Sequence, residues 1–262
     1  MKYYFKVANI VCCINNNVSE LDERIKRIST CFSETNESEE RFILTIHDES
    51  FVMSLDKKKY SYDIKITVRD LYQLFYAFVS MVVKIVDGQF LIHSAIVSKG
   101  DEAILIAGDY SSGKTTLANV FAEYGYEVNS ADRSVCLLTD GKLYTIHGTK
   151  KVVSDSDVSY LTEENTTKNI QISKVLFLEG ISHNGDLRYT EMQDKIRIKK
   201  KLFYSVTNIF LSPFEESNTL LCDMVDDYYF DICKDIANLD IDFIALRGDV
   251  IKIVKKIDGI DD

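Results

Sequence analysis

The stretch from 103 to 124 restricts the fold more than any other part of the chain. An apolar run, Ala103-Ile-Leu-Ile-Ala107, leads into Gly108-Asp109-Tyr110-Ser111-Ser112-Gly113-Lys114-Thr115-Thr116. Leu117, Val120 and Phe121 then recur at helical spacing before Gly125. Strand, loop and helix thus stand in the order that G-x-x-x-x-G-K-[ST] needs in order to hold phosphate. Glycines at 108 and 113 permit backbone conformations that a Cβ would block, so successive N–H groups can converge on phosphate oxygens. The positive end of the following helix adds to that attraction. Lys114 is expected to reach the β- and γ-phosphates, and the Thr115 hydroxyl to ligate Mg²⁺. Residues Gly108 to Thr116 are the expected nucleotide-binding set, for ATP or GTP, because contacts to phosphates do not read the base.

Such a loop also needs a carboxylate at the end of a neighbouring strand, to hold the metal or orient the nucleophile. Tyr126-Glu-Val-Asn-Ser-Ala-Asp132 is the first extended segment after the helix, and Asp132 closes it. Asp132 is therefore the expected metal ligand beside Thr115; the alternative is an ordinary aspartate in a strand-ending turn.

From about 89 to 138 the chain resembles the HPr kinase-like P-loop proteins, the bacterial serine kinase fold that is also related to the nucleotide site of phosphoenolpyruvate carboxykinase. The resemblance rests on Leu91-Ile92-His93-Ser94-Ala95-Ile96-Val97, then Gly100, the glycine loop, Gly125 and Asn129-Ser130-Ala131-Asp132-Arg133. The tail, Ile241-Asp-Phe-Ile-Ala-Leu246 and a helix over 249–258, is similar to that family's closing strand and helix. It implies a mixed α/β (α+β) fold: a P-loop nucleotide-binding core with a mixed β-sheet and flanking helices. It implies too a Mg²⁺-dependent transfer of the γ-phosphoryl group to a serine or threonine of a peptide or protein, and it allows a homo-oligomer.

Two departures bear on activity. Where the family carries a pair of aspartates, this chain has Ala131 and Asp132, and the missing first one is the family's proton acceptor. The long glycine-rich signature of the regulatory kinase/phosphorylase is not found beyond 150, which argues against the phosphocarrier HPr as substrate. The shorter relatives found with peptide-maturation systems remain. The resemblance also places His93 beside the γ-phosphate, to stabilise transferring charge or to take a proton with a pKa near neutrality. Alternatively, His93 only hydrogen-bonds within the core. The expected catalytic set is His93, Lys114 and Asp132, with Arg133 and Arg247 as further phosphate contacts. Two functions of different class stand open: a serine kinase, or a nucleotide-binding scaffold without catalysis, which Ala131 favours; an ATPase or small-molecule kinase on the same fold is a third.

Composition closes other routes. With 46% hydrophobic and 27% charged residues the chain is not disordered over most of its length. A net charge of −10 opposes a nucleic-acid partner. Leu71–Val83 is almost free of charge but falls short of the roughly 20 residues a bilayer needs, so it predicts a buried helix over 71–86, capped by Thr67 or Asp70 and ended by Gly88. The first residues, MKYYFKVANIVCCINNN, lack a cleavage site and predict no signal peptide. No cysteine pair has C-x-x-C spacing. Cys12 and Cys13 should point to opposite faces of a strand, while Cys31, Cys136, Cys222 and Cys233 read as small buried hydrophobes. A reducing cytoplasm and no membrane partner are expected.

Elsewhere, strands are expected over 3–14, 42–55 and 174–179, and hairpins at Lys99-Gly100-Asp101 and Thr139-Asp140-Gly141. Helices are expected over 190–210, broken by Pro213, and over 216–237. The polar stretch 33–40 reads as loop, and 149–171 as irregular loop with short pieces of structure. One domain, 1–262, is expected, with a β-rich segment and core helix at 1–88 and the kinase-like core at 89–262. His47, His147 and His183 lack partners at metal-ligand spacing. The Lys199–Lys201 run reads as a solvated helix face or a dock for an acidic peptide.

Overall fold

Two residues with positive φ set the first strands. Ala8 and Asn9, at 45° and 71°, form a tight turn whose twist suits antiparallel pairing. It joins β1 (Lys2–Val7) to β2 (Ile10–Asn16), so the span 3–14 is a hairpin rather than one strand. The computed structural model describes residues 1–29, 32–35, 40–149, 151–153, 158–160, 169–182 and 185–260. Cys31 and His183 lie outside the described residues, as does most of 154–168.

The chain divides into two compact units. The first comprises Met1–Gln89, Val153–Ser159 and Asn208–Asp226. After α1 (Asp22–Ser29), β3 (Ser33–Glu34) pairs with β1, and β4 (Phe42–Ile46), β5 (Phe51–Leu55) and β6 (Lys58–Tyr62) follow as a meander. The sheet runs β3-β1-β2-β4-β5-β6. α2 (Asp70–Val83) is buried along most of its length, which accounts for its apolar run. Asp70 fastens its start by accepting from Thr67 N at 3.0 Å and Thr67 Oγ1 at 2.7 Å. Among the described residues no helix is long and apolar enough to cross a membrane.

The helix expected over 216–237 is shorter. Phe214 is buried against Phe51, ring centroids 5.9 Å apart, and Asn218 at φ 51° turns the chain back so that Phe214 N reaches Thr219 O. That anchor consumes 214–219, and the helix begins only at Asp227. Cys222, expected to be buried, is exposed on the short 3-10 turn that precedes it.

The second unit comprises Phe90–Val152, Tyr160–Thr207 and Asp227–Asp262. β7 (Gln89–Lys99) and β8 (Glu102–Gly108) form the expected hairpin, and α3 (Lys114–Glu123) follows the glycine loop. Then come β9 (Glu127–Ser130), β10 (Arg133–Thr139) and β11 (Lys142–Gly148), the last two joined by Asp140 and Gly141 at positive φ. The short β12 (Lys151–Val153) and β13 (Val158–Tyr160) pair with each other. β14 (Ile170–Ile181) and β15 (Leu187–Glu191) precede α4 (Lys195–Leu211). Residues 190 and 191 thus belong to a strand, and Asp194, accepting from Ile196 N and Arg197 N, starts the helix instead. α5 (Asp227–Ile236), β16 (Asp242–Gly248) and α6 (Val250–Asp258) complete the chain.

The large sheet runs β11-β10-β7-β8-β14-β16-β15, with β9 on β7 and a further β11–β14 pairing. β8, β14 and β16 are parallel, so Gly108, Ile181 and Gly248 end on one edge. Side chains alternate across the sheet: Ile104, Ile106, Leu176, Leu178, Ile244 and Leu246 pack with Leu117 and Phe121 of α3 and Ile253 of α6. The fold is mixed α/β.

Candidate functional site

The loop after β8 is shaped by contacts that only glycine permits. Gly108 pairs with Leu178 across the parallel ladder, and a Cβ there would stand 2.5 Å from Leu178 O and 2.7 Å from Ser112 Oγ. Gly113 caps α3 at φ 98° with Ile181 against it. Ser111, at φ 60°, also lies in the left-handed region, and Ser112 N donates to Asp109 O at 3.2 Å. The loop therefore doubles back over the start of α3, whose first N–H groups have no partners within the helix. Ser112 Oγ is buried without a hydrogen-bond partner among the described residues.

Lys114 folds back onto its own loop. Its Nζ donates to Gly108 O at 3.0 Å and Asp109 O at 2.8 Å, and only 6% of the residue is exposed. Burial pushes its amino group down to about 8, against the pull of Asp132 in the other direction. A desolvated cation beside left-handed backbone and an unpartnered hydroxyl is an arrangement suited to an anion with several acceptor oxygens.

Strand order brings the second half of the site alongside. Ser94 pairs with Ala107 across the β7–β8 ladder, so His93 comes level with the start of the loop. The β9–β10 turn is pinned there: Ser94 N donates to Asp132 O, Ala131 N to Thr149 O and Arg133 N to Thr149 Oγ1, each at 3.0 Å. His93 Nε2 stands 3.3 Å from Asp132 Oδ1. Thr115 Oγ1 donates to Ala131 O at 3.3 Å, which ties the start of α3 to the same turn. Arg133, 1% exposed, has its Nε 4.0 Å from Asp132 Oδ2 and donates from Nη2 to the Tyr110 hydroxyl at 2.7 Å. The Tyr110 ring lies 4.5 Å from the His93 ring.

The structure thus gathers Tyr110, Lys114, Thr115, Asp132, His93 and Arg133. Asp109 is exposed at the loop start and Thr116 is exposed on α3. Arg247 lies exposed on β16 opposite Arg188, two strands from β8. His47 is exposed beside Asn17 and His147 is buried on β11. Asp132 follows β9 in a bend beside β7 rather than ending a strand next to β8. The Arg133–Tyr110 bond had no signal in the sequence, because it depends on β10, β7 and β8 being adjacent.

The pKa of His93 is corrected by its surroundings. It is 2% exposed; burial first, then the Arg133 guanidinium, pushes it down to about 4, and Asp132 only partly offsets them. His93 is thus neutral at pH 7, a poor base whose Nε2–H can hold the Asp132 carboxylate. The unfolded chain protonates this histidine near 6.5 while the folded chain resists to about 4. Its contribution to stability is therefore full above pH 6.5 and is lost as the pH falls to about 4, a span worth about 3 kcal/mol. Denaturant unfolding of His93→Gln should show a shallower loss of stability over that window than the parent shows. Equal slopes would contradict the buried neutral histidine.

Among the described residues no group of three His, Cys, Asp or Glu could hold a metal ion. The Thr115 hydroxyl, which reaches Ala131 O next to Asp132, and the Asp132 carboxylate are oxygen donors of the type Mg²⁺ takes, an ion that needs few protein ligands.

No protein-family model and no curated protein matches the chain by sequence. Among solved structures the chain is similar to the HPr(Ser) kinase/phosphatase from Coxiella burnetii, at 7% identity and a TM-score of 0.30, over 65% of this chain and 92% of that one. A likeness at that level leaves the functional reading to rest on the residues of the site.

Proposed function

We propose that the chain binds a Mg²⁺-complexed nucleoside triphosphate, ATP or GTP, at the Gly108–Thr115 loop and transfers its γ-phosphoryl group to a serine or threonine hydroxyl of a peptide or protein. The observation that carries this reading is the buried Lys114, folded onto a loop that only glycines allow, in one cluster with the Asp132–His93 pair. On this reading the loop N–H groups and Lys114 hold the phosphates in line with the acceptor. The acceptor oxygen bonds to the γ-phosphorus, the bond to the β-phosphate oxygen breaks, and the nucleoside diphosphate leaves. Asp132, held by neutral His93 and faced by Arg133, takes the hydroxyl proton through a water, because its carboxylate also serves the metal. Thr115 and Asp132 would hold Mg²⁺, which would supply neutralisation of the phosphate charge.

A second reading, a nucleotide-binding module without turnover, has its own observation. Ala131 stands where the resembled family has its proton acceptor. It is 1% exposed and its N–H is bound to Thr149 O. Phosphoryl transfer depends mainly on positioning and charge, so the methyl group does not by itself abolish it. Labelled phosphate appearing on serine peptides supports the kinase; binding without turnover supports the module.

Asp132→Asn tests the metal assignment. The parent should bind ATP more tightly with Mg²⁺ than without, and the variant should lose that gain, an effect of about tenfold or more for one charged contact. An unchanged Mg²⁺ dependence in the variant would remove Asp132 from the site.

A further inference from the structure

One face of α4 bears on the identity of the acceptor. Arg197, Lys200, Lys201 and Tyr204 recur at i, i+3, i+4 and i+7 and share one side of the helix, while Ile198, Leu202 and Val206 are buried on the other. The cationic side walls a cavity of about 580 Å³, within the range of ligand sites. Its opposite wall is Gly108 and Asp109 of the loop, with Phe177 to Glu179 at the end of β14. The run 199–201 is thus not one solvated face: Lys199 lies 4.1 Å from the centre of the Phe230 ring, and only Lys200 and Lys201 face the cavity.

The charges on this wall are not balanced. Arg197 and Lys201 share one carboxylate, Glu179 Oε1, at 3.8 Å and 2.9 Å, and Lys200 has no carboxylate partner among the described residues; with Asp109 on the loop, the lining carries three cations against two carboxylates. Like charges at these helical spacings destabilise a helix. Three of them face the phosphate loop in a chain of net charge −10. The Phe177 ring, with Lys201 Nζ 5.7 Å from its centre, gives the cavity an apolar floor.

Resting on the kinase reading above, we infer that this cavity receives an acidic side chain of the acceptor peptide. The hydroxyl to be phosphorylated then sits on the other side of the loop, at Asp132 and His93. β8 separates β7, which carries His93, from β14, which carries Glu179. At about 4.8 Å per strand the two sites are roughly 10 Å apart, and an extended peptide at about 3.4 Å per residue covers that in three residues. The preferred acceptor is a serine or threonine with aspartate or glutamate three positions away.

Fluorescence anisotropy tests this with labelled Ala-Ser-Ala-Ala-Glu-Ala, the reversed spacing Ala-Glu-Ala-Ala-Ser-Ala, and their glutamine counterparts, in the presence of Mg²⁺ and a non-hydrolysable ATP analogue. One glutamate peptide should bind the full chain at least about tenfold more tightly than its glutamine counterpart. The double variant Arg197→Gln, Lys200→Gln should lose that preference while keeping the thermal midpoint and the nucleotide affinity of the parent. No preference in a parent that binds the nucleotide overturns the acceptor assignment alone. A double variant that loses nucleotide affinity instead gives the cavity to the nucleotide. A parent that binds no nucleotide overturns the kinase reading itself.

Discussion

Lys114→Ala is expected to weaken Mg·ATP binding by about 100-fold or more while the chain stays folded. In the structure this amine is already desolvated and directed at Gly108 O and Asp109 O, so its burial has been met in the folded chain before any ligand arrives. A phosphate then gains charge-assisted hydrogen bonds without a further desolvation cost on the protein side. Two such bonds at about 1.5–3 kcal/mol each account for the loss. The pH dependence follows from the same burial. The free amine titrates near 8, and bound phosphate raises it, so the affinity of the parent should be level below pH 8 and fall about tenfold per unit above. The variant should show no such fall. Calorimetric titration at pH 7 and pH 9 reads both effects, and equal binding by the parent and the variant at pH 7 would remove Lys114 from any ligand site.

Gly108→Ala is expected to be the most damaging change to the loop itself. The added Cβ would meet the carbonyl of Leu178, which belongs to the parallel ladder between β8 and β14 and cannot withdraw without breaking it. Overpacking against fixed backbone costs about 3 kcal/mol and should lower the thermal midpoint by roughly 5–10 °C. Gly125→Ala is the matched control. Gly125, unlike Gly108, has a positive φ, 85°, but a Cβ there meets nothing within 4 Å, so only the conformational cost of about 1 kcal/mol applies. Thermal unfolding that shows the two variants equally destabilised would contradict the close packing of Gly108 under β14.

What was legible in the sequence was whatever a few consecutive residues dictate. Glycines, lysine and threonine between an apolar run and a helical pattern could be read at 103–124, as could the turns at Gly100 and Asp140-Gly141 and the helix that Asp249 caps by accepting from Ile251 N and Lys252 N. The Ala8-Asn9 turn escaped because neither residue advertises positive φ as glycine does. The helix expected over 216–237 starts late, at Asp227, because a buried Phe214 outweighs local propensity before it.

The site was half legible for the same reason. Lys114, Thr115 and Asp132 stand in or near one motif. The tuning of His93 by Arg133, and the bond from Arg133 to Tyr110, depend on β10, β7 and β8 lying side by side, which no local pattern encodes. Composition could not show that Lys200 and Lys201 face the loop while Lys199 turns to Phe230, since that follows from where α4 begins.

The most direct test of the central claim is calorimetric titration of the full chain with ATP, with and without Mg²⁺, at pH 7. Saturable one-to-one binding that Mg²⁺ tightens is the expected result. No heat of binding under either condition, with the chain folded, would contradict a phosphate site at Gly108–Thr115 and the kinase reading built upon it.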